Sequence, residues 1–321
     1  MSENIMSEYK VLEDEEFIKQ RFAGIGGSDA ASVLGISPFK SRLQLWHEKV
    51  SKKIDPESGD ALIFQIGKAL EPIVANKYAK KTGRKLEMRP LKIHPEYPFI
   101  IGNIDREIIG DERGPGILEI KTKGAFIDWH GDDIPPYYMT QVQHYLSVFG
   151  YEWASFAVLD LGTRKINHID IDRDDKQISK IIDEEKKFWK LVETGVPPEV
   201  DCSKVCGNFL REHYKKSEDI TIDLIGNKDA NKWANILRDV RSQEKILKAQ
   251  EDECKNHLMP LIGNAERAIG DLFSITWKSP KDKEVFDLEK FRIDHPKLVK
   301  QYIKKEPQTR RFTVSFPKKV A

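Results

Sequence analysis

The sequence predicts an α/β chain in two parts, a larger mixed domain over residues 1–213 and a smaller α+β accessory unit over residues 214–321. A central run of short β-rich segments has helical segments on both sides, and a long helical segment with a different pattern opens the second part. The charge divides as well: the first part carries 30 Lys+Arg against 35 Asp+Glu, the second 23 against 17. This balance excludes a uniformly basic DNA-binding protein but not a locally basic tail.

Three helices are predicted before the strands, over residues 29–34, 41–50 and 60–82. Ser28 fits an N-cap and Gly35 a C-terminal stop, so these two residues should bound the first helix. Pro72 lies inside the third helical segment and should kink it or mark a restart, because proline lacks the backbone donor that a helix interior needs.

Three short strands are predicted next, at residues 99–104, 106–109 and 116–121. Pro135 and Pro136 then open a helix that runs through Val148. Strands at residues 153–159 and 165–171 and an amphipathic helix at residues 178–192 complete the predicted elements of the first domain.

The second part begins with a long helical segment. Its apolar residues recur every seven positions, at Trp233, Val240, Leu247, Cys254 and Leu261. This spacing predicts a long helix with a narrow apolar seam. Strands are expected at residues 272–277 and 311–316, around a helix at residues 288–303.

Composition restricts the class of protein. No run of about 18 apolar residues is present, so we expect no membrane span. Residues 1–20 are acidic and polar and lack the blocks of a secretory signal peptide. Three cysteines are an odd number, which argues against a disulfide framework and favours the reducing cytoplasm.

The strongest chemical signal is Asp105 followed by Glu119-Ile120-Lys121. Residues two apart in a strand share a face, so Glu119 and Lys121 should project together. A neighbouring strand end can bring Asp105 alongside them. Two converging carboxylates suit a hard cation such as Mg²⁺, and the lysine can polarise or deprotonate water, or offset charge in a phosphoryl transition state.

Two further residues extend this constellation. Glu71, on the helix before the strands, can supply a third carboxylate, and the amide of Gln141 can orient the attacking water. Together the residues would serve in-line hydrolysis of a phosphodiester. The pattern alone leaves another interpretation open, in which Asp105 is a turn residue and Glu119 and Lys121 form an ion pair on a solvated strand face.

A second signal lies near the N-terminus, where Arg21 precedes the stretch Gly24-Ile-Gly-Gly-Ser28. Glycines before a helix leave backbone N–H groups open to an anion. Arg21 and Ser28 can add charge-assisted and hydroxyl hydrogen bonds to a phosphate. The alternative is an ordinary capped helix after a glycine-rich loop.

Taken together, these segments resemble the YqaJ-like viral recombinase nucleases, relatives of phage lambda exonuclease in the PD-(D/E)XK superfamily. Five stretches carry the resemblance in the family's order: Arg21-Phe-Ala-Gly-Ile-Gly-Gly-Ser28-Asp29, Gly67-Lys-Ala-Leu-Glu71-Pro, Gly102-Asn-Ile-Asp105, Leu118-Glu119-Ile-Lys121-Thr and Tyr138-Met-Thr-Gln141-Val-Gln143. Each stretch is weak singly, but jointly they are specific, and they cover about residues 20–200.

The resemblance implies a PD-(D/E)XK nuclease core with a mixed central sheet flanked by helices. It implies Mg²⁺-dependent hydrolysis, with Mn²⁺ as a substitute, by a 5′→3′ exonuclease on linear duplex ends. By position in the motifs, Glu71, Asp105 and Glu119 match the metal ligands and Lys121 the catalytic lysine. Gln141 matches the motif glutamine, and Arg21 and Ser28 match a site for the 5′-phosphate of the cut strand.

The resemblance also implies partners. Similar enzymes form ring-shaped trimers around DNA and pass the resulting single strand to a phage annealing protein, inside a bacterial host. Residues 214–321 depart from the lambda enzyme, which is shorter, although longer YqaJ-like chains carry such a tail. Ring geometry is therefore a weaker expectation than the chemistry.

Several alternatives stay open. The same core could serve a site-specific or structure-specific endonuclease, or a DNA-binding protein without activity. Cys202, Cys206 and His213 have metal-ligand spacing, although incidental thiols are the simpler interpretation. Phe126 and Trp129, after Lys121, can stack on bases or simply pack on the core.

Overall fold

The computed structural model describes residues 22–53, 61–124, 133–304 and 310–316. The chain divides into two compact units, Met1–His213 and Tyr214–Ala321.

Six helices belong to the described part of the first unit: α1 (Gly27–Val33), α2 (Arg42–Ser51), α3 (Ala61–Thr82), α4 (Pro136–Phe149), α5 (Asp175–Thr194) and α6 (Lys204–His213). Helix α2 begins where Ser41 accepts a hydrogen bond from the backbone of Gln44, and α5 begins at Asp174, which caps two backbone N–H groups. Gly150 and Gly195 end α4 and α5 in the left-handed conformation that glycine adopts without strain.

The first unit contains a five-stranded mixed sheet. Its strands are β1 (Lys85–Glu87), β4 (Arg106–Ile109), β5 (Gly116–Lys123), β6 (Trp153–Asp160) and β7 (Lys165–Asp172), in the order β1-β4-β5-β6-β7. Only the β5–β6 pair is parallel, joined through α4, and the other pairs are antiparallel. The short strands β2 (Lys92–Ile93) and β3 (Ile101–Gly102) form a separate pair. The predicted mixed sheet flanked by helices is confirmed.

Strand β5 lies at the centre of the sheet and faces two apolar clusters. Ile117 packs with residues of α4 in one cluster. Leu118 and Ile120 pack with residues of α3 in the other. This alternation is the period of two expected of a strand, and it leaves Glu119 and Lys121 on the face that α4 covers.

Some sequence-based boundaries were wrong. Helix α1 starts one residue before Ser28, and its N-cap is Gly26, so Ser28 is not the cap. Helix α3 continues through Pro72 without a restart. Helix α6 was not predicted at all, because its four apolar positions are interrupted by Gly207 and Asn208.

The second unit contains α7 (Lys228–Ile262), the hairpin β8 (Arg267–Ile269) and β9 (Ser274–Thr276), then α8 (Leu288–Asp294) and α9 (Pro296–Tyr302). The long predicted helix is present. The predicted helix at residues 288–303 is two helices, because Pro296 cannot continue the hydrogen-bond ladder of α8. Residues 311–316 form no strand, so that prediction was wrong.

None of the described helices is both long enough and apolar enough to cross a lipid bilayer.

Candidate active site

A cleft of about 400 Å³ opens in the first unit between the start of α1, the middle of α3, strand β5 and the first turns of α4. Its lining includes Ser28, Glu71, Asp105, Glu119, Lys121 and Gln141. Six of the seven residues that the sequence analysis selected therefore line one cleft. The seventh, Arg21, lies outside the described residues.

Glu119, Lys121 and Gln141 form a closed triangle of hydrogen bonds. Lys121 Nζ donates to Glu119 Oε1 at 2.7 Å and to Gln141 Oε1 at 3.0 Å. Gln141 Nε2 donates to the same Glu119 oxygen at 2.8 Å. Since the glutamine accepts from the lysine through its carbonyl and donates to the glutamate through its amide, it fixes both side chains from the α4 side.

Asp105 lies in the turn between β3 and β4, beside the middle of β5. Its Oδ2 accepts a hydrogen bond of 2.8 Å from the backbone N–H of Ile120. Burial, with the nearby charges of Glu119 and Glu71, raises the pKa of Asp105 to about 8. Carboxylates therefore converge here, as the sequence predicted, and they repel one another.

Lys121 is surrounded by groups that favour its charge. Burial alone would lower its pKa, but Glu119 and Asp105 outweigh burial and raise the pKa above its ordinary value. Its Nζ also lies 4.8 Å from the ring centroid of Tyr138, a cation–π contact. Tyr138 was not selected from the sequence as a site residue, although its position three residues before Gln141 puts both on one helix face.

Glu71 lines the cleft, but both of its oxygens are already paired. Arg106 Nη1 lies 2.8 Å from Oε1, and Lys68 Nζ lies 2.7 Å from Oε2. The sequence analysis did not select Arg106 or Lys68. For Lys68 a signal existed, because it precedes Glu71 by three positions on a helix, whereas nothing local to Arg106 shows that it reaches α3.

The donor set of this cleft fits a hard divalent cation. Asp105 and Glu119 offer oxygen ligands, and their repulsion is the condition that a bound cation relieves. Glu71 would have to leave Arg106 or Lys68 to join them. Within the described ranges, no cluster of three or more His, Cys, Asp and Glu side chains is drawn together in a form that could hold a metal ion. Among the same described residues, Cys202, Cys206 and His213 form no such cluster either.

The glycine-rich stretch before α1 has a packing reason beside the anion-binding one. A Cβ on Gly27 would lie 2.4 Å from the ring of Tyr145, and one on Gly24 would lie 2.7 Å from the carbonyl oxygen of Phe99. Asp29, just inside α1, forms a buried ion pair of 2.7 Å with Lys49. Ser28 is exposed at the edge of the cleft. Close packing therefore constrains the glycines of this stretch, while Ser28 is left exposed among the residues that line the cleft.

A buried pair beneath the cleft holds α4 in place. His144 Nδ1 lies 2.7 Å from Glu185 Oε1 on α5, and its Nε2 donates to the carbonyl oxygen of Ile101 at 2.9 Å. Both side chains are fully buried. Burial opposes the charge of His144, but Glu185 prevails and raises its pKa. Both ring nitrogens of His144 are therefore engaged in hydrogen bonds within the protein.

Comparison with known proteins gives the family. The model of the YqaJ-like viral recombinase domain matches residues 16–152. The Bacillus subtilis (strain 168) protein YqaJ is 32% identical over 318 residues, which are 97% of this chain and 97% of that protein. The chain belongs to the YqaJ family. The resemblance found in the five motifs is therefore confirmed.

Solved structures similar to this YqaJ-family chain include two exonucleases. An alkaline exonuclease from Laribacter hongkongensis is 22% identical, with a TM-score of 0.46 over 57% of this chain and 94% of that one. A phage-related exonuclease from Haemophilus somnus is 15% identical, with a TM-score of 0.40 over 54% of this chain and 95% of that one.

The residues that the family model matches include the whole lining of the cleft. A YqaJ-like recombinase domain carries a cleft in which Asp105 stands beside the triangle of Glu119, Lys121 and Gln141. This cleft is therefore the candidate active site of the YqaJ-like viral recombinase domain.

Proposed function

We propose that the protein is a metal-dependent DNA exonuclease that degrades linear duplex ends in the 5′→3′ direction and yields single-stranded DNA for phage-type recombination. The observation that carries the proposal is the triangle of Glu119, Lys121 and Gln141 beside Asp105, in one cleft. Hydrolysis of a phosphodiester needs oxygen ligands for a cation, a positive charge near the scissile phosphate and an oriented water. These residues supply all three.

Asp105 and Glu119 would hold Mg²⁺, or Mn²⁺ in its place, with Glu71 as a third ligand once it is released from its cations. The bound cation supplies Lewis-acid polarisation of the phosphate and a water of lowered pKa. Lys121 places its ammonium group at the cleft wall, where it stabilises negative charge that develops on the phosphate. Gln141 fixes the directions of Glu119 and Lys121 and orients the attacking water.

The proposed polarity depends on the other end of the cleft. Ser28 lies at its edge, and Arg21 is seven residues earlier in the chain. A hydroxyl and a guanidinium group recognise a terminal phosphate better than an internal one, because only a terminal phosphate offers three open oxygens. Binding the 5′-phosphate there would align the first phosphodiester with Asp105 and Glu119.

The proposed biological setting rests on the resemblance to the YqaJ-like recombinase nucleases. We propose that the protein works in the cytoplasm of a bacterial host, as a homo-oligomer that encloses DNA in a ring, with an annealing protein as the receiver of the single strand. We also propose that residues 214–321 form an accessory domain that the chemistry does not require, because every proposed catalytic residue lies before it.

Digestion of a duplex labelled at either end, with and without a 5′-phosphate, tests the proposal. We expect Mg²⁺-dependent release of nucleotides from the 5′ end, abolished by EDTA and by Lys121→Ala. The same reaction on covalently closed circular DNA is the control and should show no cleavage. Cleavage of the circle would favour a structure-specific or site-specific endonuclease. No cleavage with Mg²⁺ or Mn²⁺ at any concentration would leave a DNA-binding protein.

A further inference from the structure

Phe39 stands out among the aromatic residues of the first unit. Of the described Phe, Tyr and Trp side chains in that unit, it alone is classed as exposed, at 68%. A single exposed apolar side chain is common and needs no explanation. What makes Phe39 informative is its set of neighbours.

Three aromatic rings lead from the surface to the catalytic lysine. Phe39 meets Tyr137 edge-on, with ring centroids 5.5 Å apart and an interplanar angle of 89°. Tyr137 meets Tyr138 at 4.4 Å. Tyr138 lines the cleft, and its ring lies 4.8 Å from Lys121 Nζ. Phe39 is thus the outer end of a continuous aromatic path into the cleft.

The segment that presents Phe39 is held in place. Ser37 Oγ accepts hydrogen bonds from the backbone N–H groups of Phe39 and Lys40, at 3.2 and 3.3 Å. Lys40 in turn pairs with Glu48 on α2. Tyr137 and Tyr138 lie in the first turn of α4, whose start is fixed by Pro136. The ring of Phe39 is therefore presented at low conformational cost.

An exposed aromatic ring near a phosphodiester site suits a nucleobase. Every base has a flat π-face, so stacking on an aromatic ring tolerates any sequence, as a general exonuclease requires. Internal phosphates do not contact an uncharged ring favourably, and Lys40 beside Phe39 is already paired with Glu48. The path is consequently suited to unpaired bases rather than to the backbone.

We propose that Phe39, with Tyr137 and Tyr138 behind it, is a stacking subsite for the unpaired bases of the DNA strand that enters the cleft. The proposal rests on the proposed nuclease function and deepens it. The subsite holds the strand by its bases, while the carboxylates, Lys121 and the 5′-phosphate site engage its backbone.

Substrates that lack single bases test the subsite. Duplexes with one abasic residue at successive positions from the 5′ end are digested by the wild-type protein and by Phe39→Ala. If the subsite exists, one abasic position slows the wild type about fivefold or more, the lower end of what one stacked base contributes. Phe39→Ala should digest the intact substrate more slowly by a similar factor. An abasic residue at the same position should then cause no further loss of rate in this variant.

Two variants serve as controls. Phe39→Tyr keeps an aromatic face and should behave as the wild type. Val200→Ala shortens another exposed apolar side chain, 61% exposed, and should also leave the rates unchanged. The proposal would be overturned if the rate loss caused by Phe39→Ala and the rate loss caused by the abasic residue multiplied at every position. Full activity of Phe39→Ala would also overturn it. An effect of Phe39→Ala only on binding of another protein would assign the residue to a protein interface and likewise overturn it.

A binding arm separates this proposal from the nuclease function. Single-stranded oligonucleotides that contain the fluorescent base 2-aminopurine are bound in EDTA, so that no cleavage occurs. Binding to the wild type should quench the 2-aminopurine fluorescence, and binding to Phe39→Ala should quench it much less. Fluorescence quenching by the wild type without cleavage in the presence of any metal would contradict the nuclease proposal and support the subsite. Cleavage by the wild type together with equal fluorescence quenching by both proteins would support the nuclease proposal and contradict the subsite.

Discussion

Arg106 Nη1 and Glu71 Oε1 lie 2.8 Å apart, and this ion pair links the strand after Asp105 to the helix that carries Glu71. Both side chains are largely buried, at 11% and 9% exposed. The pair gives Glu71 a structural role in addition to the metal-binding role proposed for it. It also means that the three carboxylates of the cleft differ in what they do for stability.

Glu71→Gln should destabilise the fold. The substitution leaves the buried guanidinium group of Arg106 with neutral acceptors, the amide oxygen at position 71 and the Asp105 carbonyl, in place of a carboxylate. We expect a loss of roughly 2 kcal/mol. Urea unfolding in EDTA measures it. Lys68→Gln is the matched control, because its side chain is 38% exposed and its loss should cost below about 1 kcal/mol. Equal losses in the free energy of unfolding for the two variants would mean that the ion pair between Arg106 and Glu71 does not stabilise the fold.

Asp105→Asn should stabilise the fold while it abolishes cleavage. Burial and the charges of Glu119 and Glu71 penalise the ionised form of Asp105, whose pKa is raised to about 8, and asparagine can still accept from the Ile120 N–H. We expect a gain of roughly 1 kcal/mol or more, about 2–4 °C in Tm without metal. Cleavage should fall by roughly 100-fold or more. A lower Tm together with lost cleavage would show that the carboxylate is structural.

Arg21→Ala and Ser28→Ala should affect phosphorylated ends selectively. If the two residues hold the terminal phosphate, each variant should slow initiation on 5′-phosphorylated duplexes and change little on 5′-hydroxyl duplexes. Initial rates on the two substrates give the ratio. Losses of the same size on both would assign the residues to general backbone contact or to structure.

The His144–Glu185 pair should make stability depend on pH. Since the folded-state pKa of His144 is raised above 6.5, its contribution is fully present below about pH 6.5 and is lost as pH rises through the raised pKa. The wild type should therefore lose more stability between pH 6.5 and 9 than His144→Gln does. Urea unfolding at several pH values checks this. Parallel curves for the two proteins would contradict it.

Removal of residues 214–321 should leave cleavage intact and weaken the grip on DNA. Residues 278–321 carry 13 Lys+Arg against 6 Asp+Glu, so a contact with phosphates should make binding by the full chain fall more steeply with salt than binding by residues 1–213. Circular dichroism first establishes that the shortened protein is folded. Matching salt slopes would favour protein docking or oligomerisation, and a folded protein without cleavage would show that the chemistry needs the second unit.

The sequence was sufficient for the parts of the site that follow from periodicity. Strand alternation put Glu119 and Lys121 on one face, and the motif positions put Asp105 and Gln141 near them. Arg106 was not predicted as a neighbour of the site because its contact with Glu71 spans 35 positions, and no local pattern encodes such a contact. Phe39 was not selected from the sequence for the same reason, since only the fold brings it next to Tyr137.

The wrong boundaries have local causes. Ser28 was a reasonable cap by residue type, but the helix is capped two residues earlier, by Gly26, and Gly27 packs closely against Tyr145. The break at Pro296 was readable, since the residue before a proline avoids the helical conformation. Residues 311–316 have the composition of a strand but no partner strand among the described residues, and a strand is defined by its pairing.

The alternation in β5 has a consequence for how this gene can change. Leu118 and Ile120 face one apolar cluster, and Glu119 and Lys121 between and beside them face the cleft. Inserting or deleting one codon in this strand would exchange the two sets. A carboxylate and an ammonium group would then point into the apolar cluster against α3, and aliphatic side chains would point into the cleft. Lineages of this protein should therefore accept length variation at the hairpin loops that bracket the sheet and reject it within these eight residues.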